Sequence, residues 1–203
     1  MKHNKFVDNL VLWIVFGFLF LPIFVLILFS FNTSSLNIVF EGFTLHWYKD
    51  LFQNVELLEA LKNTLIVAVV STVVSTVIGT ISAYALKRYD FKGKALVNEL
   101  LYIPIVIPEI VIGIALLSIY TLFRLELGMF SLILAHISFA IPFVIISVRS
   151  VLENMNPNLE EAASDLGASK MRTFFEIVLP TLIPGIFSGA QLAFTLSLDD
   201  VVI

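Results

Sequence analysis

Hydrophobic positions in this chain do not alternate with polar ones at a short period. They fall in long unbroken blocks, at about 10–31, 61–86, 100–123, 128–150 and 180–203. A helix needs roughly 20 apolar residues to cross a bilayer, and each block reaches that length. The pattern predicts an all-α polytopic membrane protein with five spans, forming one transmembrane domain over 1–203. Polar residues gather between the blocks, at 32–60, 87–99 and 151–179. The first block is too long for a signal-peptide core of about 7–15 residues and lacks a small-residue cleavage site. It reads as a retained first span.

Composition agrees. The chain has 203 residues, 59% of them hydrophobic and 14% charged, where soluble domains carry about 25% charged residues. Lys and Arg separate by loop. A cytoplasmic N-terminus puts Lys2, Lys5, Lys87, Arg88, Lys92, Lys94, Arg149, Lys170 and Arg172 inside and only Lys49, Lys62 and Arg124 outside. That distribution follows the positive-inside rule, and the reverse topology inverts it. The chain has no cysteine, which excludes disulfides, thiolate catalysis and Cys-based metal sites. His3, His46 and His136 lie far apart, so no metal spacing exists, and no nucleic-acid partner is expected.

In the second block Ser71, Ser75, Gly79 and Ala83 recur every four residues. Small residues at that spacing let helices approach closely. Outside, "HWYKDLFQN" places Trp47, Leu51 and Phe52 on one side of a short amphipathic helix, suited to the membrane surface. The last block ends at "LDDVVI" without a basic stop, and a sixth span beyond Ile203 is expected.

The polar stretch "NPNLEEAASDLGASKMRTFFEIVLP", 156–180, is the chain's most informative. Asn156 suits an N-cap and Pro157 a first helical position. Glu160 and Glu161 follow where the helix dipole favours negative charge. Leu159, Ala162, Ala163 and Leu166 form an apolar stripe at i, i+3, i+4 and i+7. Gly167 suits the position after the helix end, and Ser169 can cap a second helix, "KMRTFFEIV", running to Pro180. The spacing therefore predicts a helix at about 157–167, a glycine, and another helix, all cytoplasmic. The other inner loop is too short to cover the stripe, which implies a protein partner.

Here the sequence resembles the permease subunits of ABC importers. Glu161-Ala162-Ala163, then Gly167, Ile177 and Leu179-Pro180 stand at the spacing of that family's EAA motif. The resemblance implies a type I permease fold whose helix 157–167 is a coupling helix, with Glu161, Ala162, Ala163, Leu166 and Gly167 meeting a separate ATP-hydrolysing subunit. It further implies a second permease subunit, making a heterodimer, and an extracytoplasmic substrate-binding protein in a bacterial inner membrane. This chain would hold no cofactor; ATP and Mg²⁺ would sit on the partner. Indeed Gly93-Lys94 is no phosphate-binding loop, since Arg88 stands where a Gly is required and Ala95 follows the Lys. "GFTLHWY", "ALKRYDFKGK", "AHISFAIPFV" and "FTLSLDDVV" are similar to the spermidine/putrescine subset of these permeases.

Ionisable side chains inside a membrane cost at least about 2.5–3.5 kcal/mol and are functional candidates by default. Glu109, between Pro108 and Ile110, lies about nine residues into the third block, roughly 13 Å deep along a straight helix. Asp199 and Asp200 lie near the outer end of the last block and, being adjacent, point about 100° apart. With His136, these residues are candidates for the substrate path, and uncompensated carboxylates suit a polycation. The alternatives for each acid are pairing with a partner permease or a wet boundary, and for His136 a helix-to-helix hydrogen bond. Iron, sulfate or phosphonate remain alternative cargoes. A stand-alone secondary transporter would show internal repeats, which are absent. An aspartyl intramembrane protease needs acids on two helices, and a partner motif for Asp199-Asp200 is missing.

Overall fold

A computed structural model describes residues 5–35, 38–156 and 158–200. The helices are α1 (Lys5–Phe29), α2 (His46–Gln53), α3 (Val55–Arg88), α4 (Lys94–Leu100), α5 (Ile103–Val106), α6 (Glu109–Leu122), α7 (Met129–Asn154), α8 (Asn158–Asp165), α9 (Lys170–Thr173) and α10 (Leu179–Asp199), with a π-helical turn at Phe174–Val178 between α9 and α10. Among the described residues the sole β pairing is one isolated bridge, Asn32 with Phe43. The chain forms two compact units, Met1–Leu61 and Lys62–Ile203.

Among the described residues four stretches are long and apolar enough to cross a membrane: Asp8–Phe29, Val55–Arg88, Met129–Asn154 and Lys170–Asp199. The expected third span differs. It is two limbs, Lys94–Val106 and Glu109–Leu122, bent by 115°. The break has a local cause. Pro108 disfavours helical geometry at the residue before it, and Ile107 is extended at φ −79°, ψ 134°. The five expected spans are thus four continuous helices and one broken pair. α3 also starts earlier than the second apolar block, at Val55, because Asn54 Oδ1 accepts a hydrogen bond from the Leu57 N–H at 3.1 Å. Its 34 residues extend about 51 Å at 1.5 Å per residue, beyond a hydrocarbon core of about 30 Å.

In the first unit, the loop after α1 is organised by a buried residue, Asn32. Its Nδ2 donates to the Val39 carbonyl at 2.8 Å and its Oδ1 accepts from the Glu41 N–H at 2.9 Å. The Trp47 indole donates to the Asn32 carbonyl at 2.8 Å, and Tyr48 Oη meets Ser30 Oγ at 2.8 Å. These bonds hold α2 against the end of α1. Trp47 and Tyr48 therefore use their polar tips within the loop, while Phe52 stays exposed.

In the second unit α7 packs against both α3 and α10. Ser71, Ser75, Gly79 and Ala83 of α3 are all buried, as their four-residue spacing predicts. A Cβ on Gly79 would come within 2.6 Å of Val144 Cγ1. From α10, Gly189 would meet the Val144 Cα at 3.1 Å and Gly185 the Ser147 carbonyl at 3.0 Å. Small residues on both neighbours thus let α7 backbone approach closely on two sides. The core of the unit comprises Ala83, Val144, Val148, Val178, Leu182 and Ala193 with their neighbours.

The second helix of this segment does not stop at Pro180; from α9 the chain continues through the π turn into α10, which bears Pro180 at its start. Proline lacks an N–H and crowds the carbonyl four residues back. The wider turn, in which the Leu179 N–H reaches the Phe174 carbonyl, relieves that crowding, so Pro180 redirects the helix rather than stopping it.

Candidate functional site

The 156–180 segment folds largely from local signals. Asn156 Oδ1 accepts from the Asn158 N–H at 3.0 Å, and α8 follows. Pro157 lies outside the described residues. After α8, Gly167 takes φ +82°. Its N–H donates to the Ser164 carbonyl at 2.9 Å, and the Ala168 N–H to the Ala163 carbonyl at 3.0 Å. This pair of bonds is the Schellman motif, which favours glycine at the left-handed position. Ser169 Oγ then accepts from the Arg172 N–H at 3.3 Å and caps α9. α8 itself is shorter than expected, Asn158–Asp165.

The apolar stripe of α8 divides between two directions. Ala163 is buried against the chain. Leu159 and Ala162 are exposed, and Leu166 is 89% exposed, so nothing among the described residues covers that edge. The two adjacent glutamates separate as well. Glu161 is exposed. Glu160 turns inward, with only 14% of its side chain exposed, and sits 3.2 Å from Arg88 Nη1 at the end of α3. The Tyr84 hydroxyl donates to the same carboxylate oxygen at 3.3 Å, and the Tyr84 ring lies 4.9 Å from that of Phe174 in the π turn. The sequence reading assigned Glu160 only to the helix dipole and did not single out Tyr84. Arg149 Nη1 donates to Asn98 Oδ1 at 3.1 Å, so α4 is tied to the last turns of α7, the end from which the chain enters α8.

At the other end, the candidate path residues do not form one cluster. His136 is buried, and its Nδ1 lies 2.8 Å from Ser197 Oγ on α10. Ser197 Oγ lies 3.1 Å from Ser71 Oγ on α3. A buried polar node therefore ties α3, α7 and α10 together. Ser197 was not identified from sequence, because a lone serine in an apolar run gives no local signal. Asp199 is the last residue of α10 and exposed, whereas Asp200 is half-buried and an electrostatic neighbour of His136. Glu109 is exposed and opens α6, where the helix dipole favours its charge. The 115° break before it removes the straight helix on which a depth of roughly 13 Å was counted.

Residues 75–203 match the family of binding-protein-dependent transport system inner membrane components. The chain belongs to this family. The matched region holds the whole 156–180 segment, α7 and α10. The permease is 42% identical over 189 residues to a spermidine/putrescine transport system permease protein PotC of Escherichia coli strain K12, covering 93% of this chain and 72% of that protein. It is 37% identical over 198 residues to the protein of the same description from Haemophilus influenzae, covering 98% and 77%. A putrescine transport system permease protein PotI of Escherichia coli strain K12 is 35% identical over 200 residues, covering 95% and 71%. The permease is thus a multi-pass subunit of the ABC importer type, and its helical spans agree with the type I permease fold that its motif implied.

Proposed function

We propose that this permease supplies half of a translocation path for polyamines, spermidine and putrescine, in an ATP-driven importer. A separate ATP-hydrolysing subunit binds ATP and Mg²⁺ and grips α8. A second permease subunit completes the path, and an extracytoplasmic binding protein delivers the substrate. The N-terminus and α8 face the cytoplasm, and the nine-to-three division of Lys and Arg supports that orientation.

The observation that carries the coupling role is the uncovered edge of α8, Leu159, Ala162 and Leu166, on a segment rigidly capped at both ends. An apolar edge beside exposed Glu161 fits a cleft in a partner. Polyamines as cargo are supported by the likeness to relatives described as spermidine/putrescine and putrescine permeases. Their ammonium groups suit the carboxylates of Glu109, Asp199 and Asp200.

The test is ATP-dependent uptake of labelled spermidine and putrescine by vesicles holding the assembled importer and its binding protein. Accumulation that needs both ATP and the binding protein is expected. Uptake of iron, sulfate or phosphonate in place of either polyamine would overturn the substrate.

A further inference from the structure

We propose that Glu160, Arg88 and Tyr84 form the joint through which movement of α8 reaches α3, so that Arg88 and Tyr84 are positioning residues for coupling. This deepens the importer reading above and rests on it. Adjacent residues on a helix point about 100° apart, and α8 uses that difference. Its outward edge and Glu161 are free to meet another protein. Glu160 points the other way and is held by two groups of α3, an ion pair at 3.2 Å and a hydrogen bond at 3.3 Å. Tyr84 and Arg88 are four residues apart, hence on one face of the last turn of α3.

Tyr84 makes a second contact that matters. Its ring packs on Phe174, which follows α9 directly. One side chain thus touches both halves of the helix–glycine–helix element, its hydroxyl reaching α8 and its ring the π turn. The Schellman turn at Gly167 fixes those halves relative to each other. A push on α8 therefore meets α3 through a charge-assisted contact and an aromatic contact together. α3 is one continuous helix to Arg88, and its small-residue face is locked on α7 at Gly79 and on α10 at Ser71. A displacement of its last turn is carried along a rigid rod to the polar node at Ser197.

The alternative role for the cluster is local stability alone. The two are separated by the ratio of substrate transported to ATP hydrolysed. Glu160→Gln, Arg88→Gln and Tyr84→Phe are made singly in the assembled importer. Membrane level and co-purification of the ATPase stay at wild type for each. The transport-to-hydrolysis ratio falls by about three- to tenfold for Glu160→Gln, the size expected when a half-exposed ion pair is lost and the Tyr84 hydroxyl donates to a neutral amide oxygen instead of a carboxylate. Tyr84→Phe, which keeps the ring, gives a smaller loss. The exchanged pair Glu160→Arg with Arg88→Glu recovers part of the ratio lost in either single reversal. Wild-type ratios in all single variants, or a fall in membrane level matching the fall in transport, would overturn the joint. Absence of ATP-driven uptake in the wild-type assembly would instead sink the importer reading.

Discussion

The imidazole of His136 lies 2.8 Å from the hydroxyl of Ser197, 61 residues later in the chain, and that hydroxyl continues to Ser71, another 126 residues away in sequence. Interhelical hydrogen bonds inside membrane proteins average about 0.6 kcal/mol. Ser71→Ala should therefore destabilise the permease by about that amount. His136→Ala, which also leaves a buried void, should cost about 1–3 kcal/mol. Unfolding in detergent–denaturant mixtures reads both. A His136→Ala variant of wild-type stability that had lost uptake would move His136 from a structural tie to a substrate contact.

The close approach of α3 to α7 at Gly79 makes a second expectation. A Cβ there would stand 2.6 Å from Val144 Cγ1, so Gly79→Ala should cost about 1–3 kcal/mol through overpacking. Val144→Ala combined with it should recover part of that loss, since the crowded methyl is removed. Gly17→Ala in α1 has nothing within 4 Å of the new carbon and should be neutral or slightly stabilising. Equal effects at Gly79 and Gly17 would show that helix propensity, not contact, governs both.

Left-handed backbone positions give a pair of opposite sign. Gly167→Ala forces a side chain into φ +82° and should destabilise by about 1 kcal/mol. Arg124 follows α6 at φ 53°, and Arg124→Gly should relieve a similar strain. Thermal unfolding of the two variants in one detergent should shift in opposite directions.

Leu166, which directly follows α8, is the most exposed apolar side chain of the 156–180 segment. Leu166→Asp should leave stability within about 0.5 kcal/mol of wild type yet strip the ATPase from the purified assembly. Glu161→Lys should weaken the same association. Undiminished co-purification from both variants would move the docking edge elsewhere.

The absence of cysteine makes the orientation directly measurable. Leu166→Cys should react with an impermeant maleimide only from the cytoplasmic side, and Lys49→Cys only from outside. Labelling of position 166 from outside would reverse the topology and remove the coupling role with it.

For cation selection, Glu109→Gln should lower uptake efficiency about ten- to hundredfold, the loss expected for one hydrogen bond to a charged group. Asp199→Asn and Asp200→Asn should differ, because Asp199 is exposed and Asp200 half-buried. Wild-type uptake from all three neutral variants would leave the polycation reading without support from these acids.

Much of this architecture follows from the sequence by itself. Apolar runs of bilayer length must become helices, because backbone polar groups in hydrocarbon have no other partners. The caps at Asn156 and Ser169 and the turn at Gly167 were legible because each acts within five residues of itself. The four-residue spacing from Ser71 to Ala83 identified a packing face for the same reason. Tertiary structure decided which partner each face meets. The 115° bend at Pro108 was not legible in the apolar run, and it removes the straight helix along which a depth for Glu109 was counted. Glu160 and Glu161 are chemically identical neighbours, and only the packing of α8 on the end of α3 turned one toward Arg88 and left the other outside. Ser197 and Tyr84 carried no local signal at all. Their bonds depend on how distant helix faces come together, and that register is set by volume and close approach across the whole unit rather than by any window of the chain.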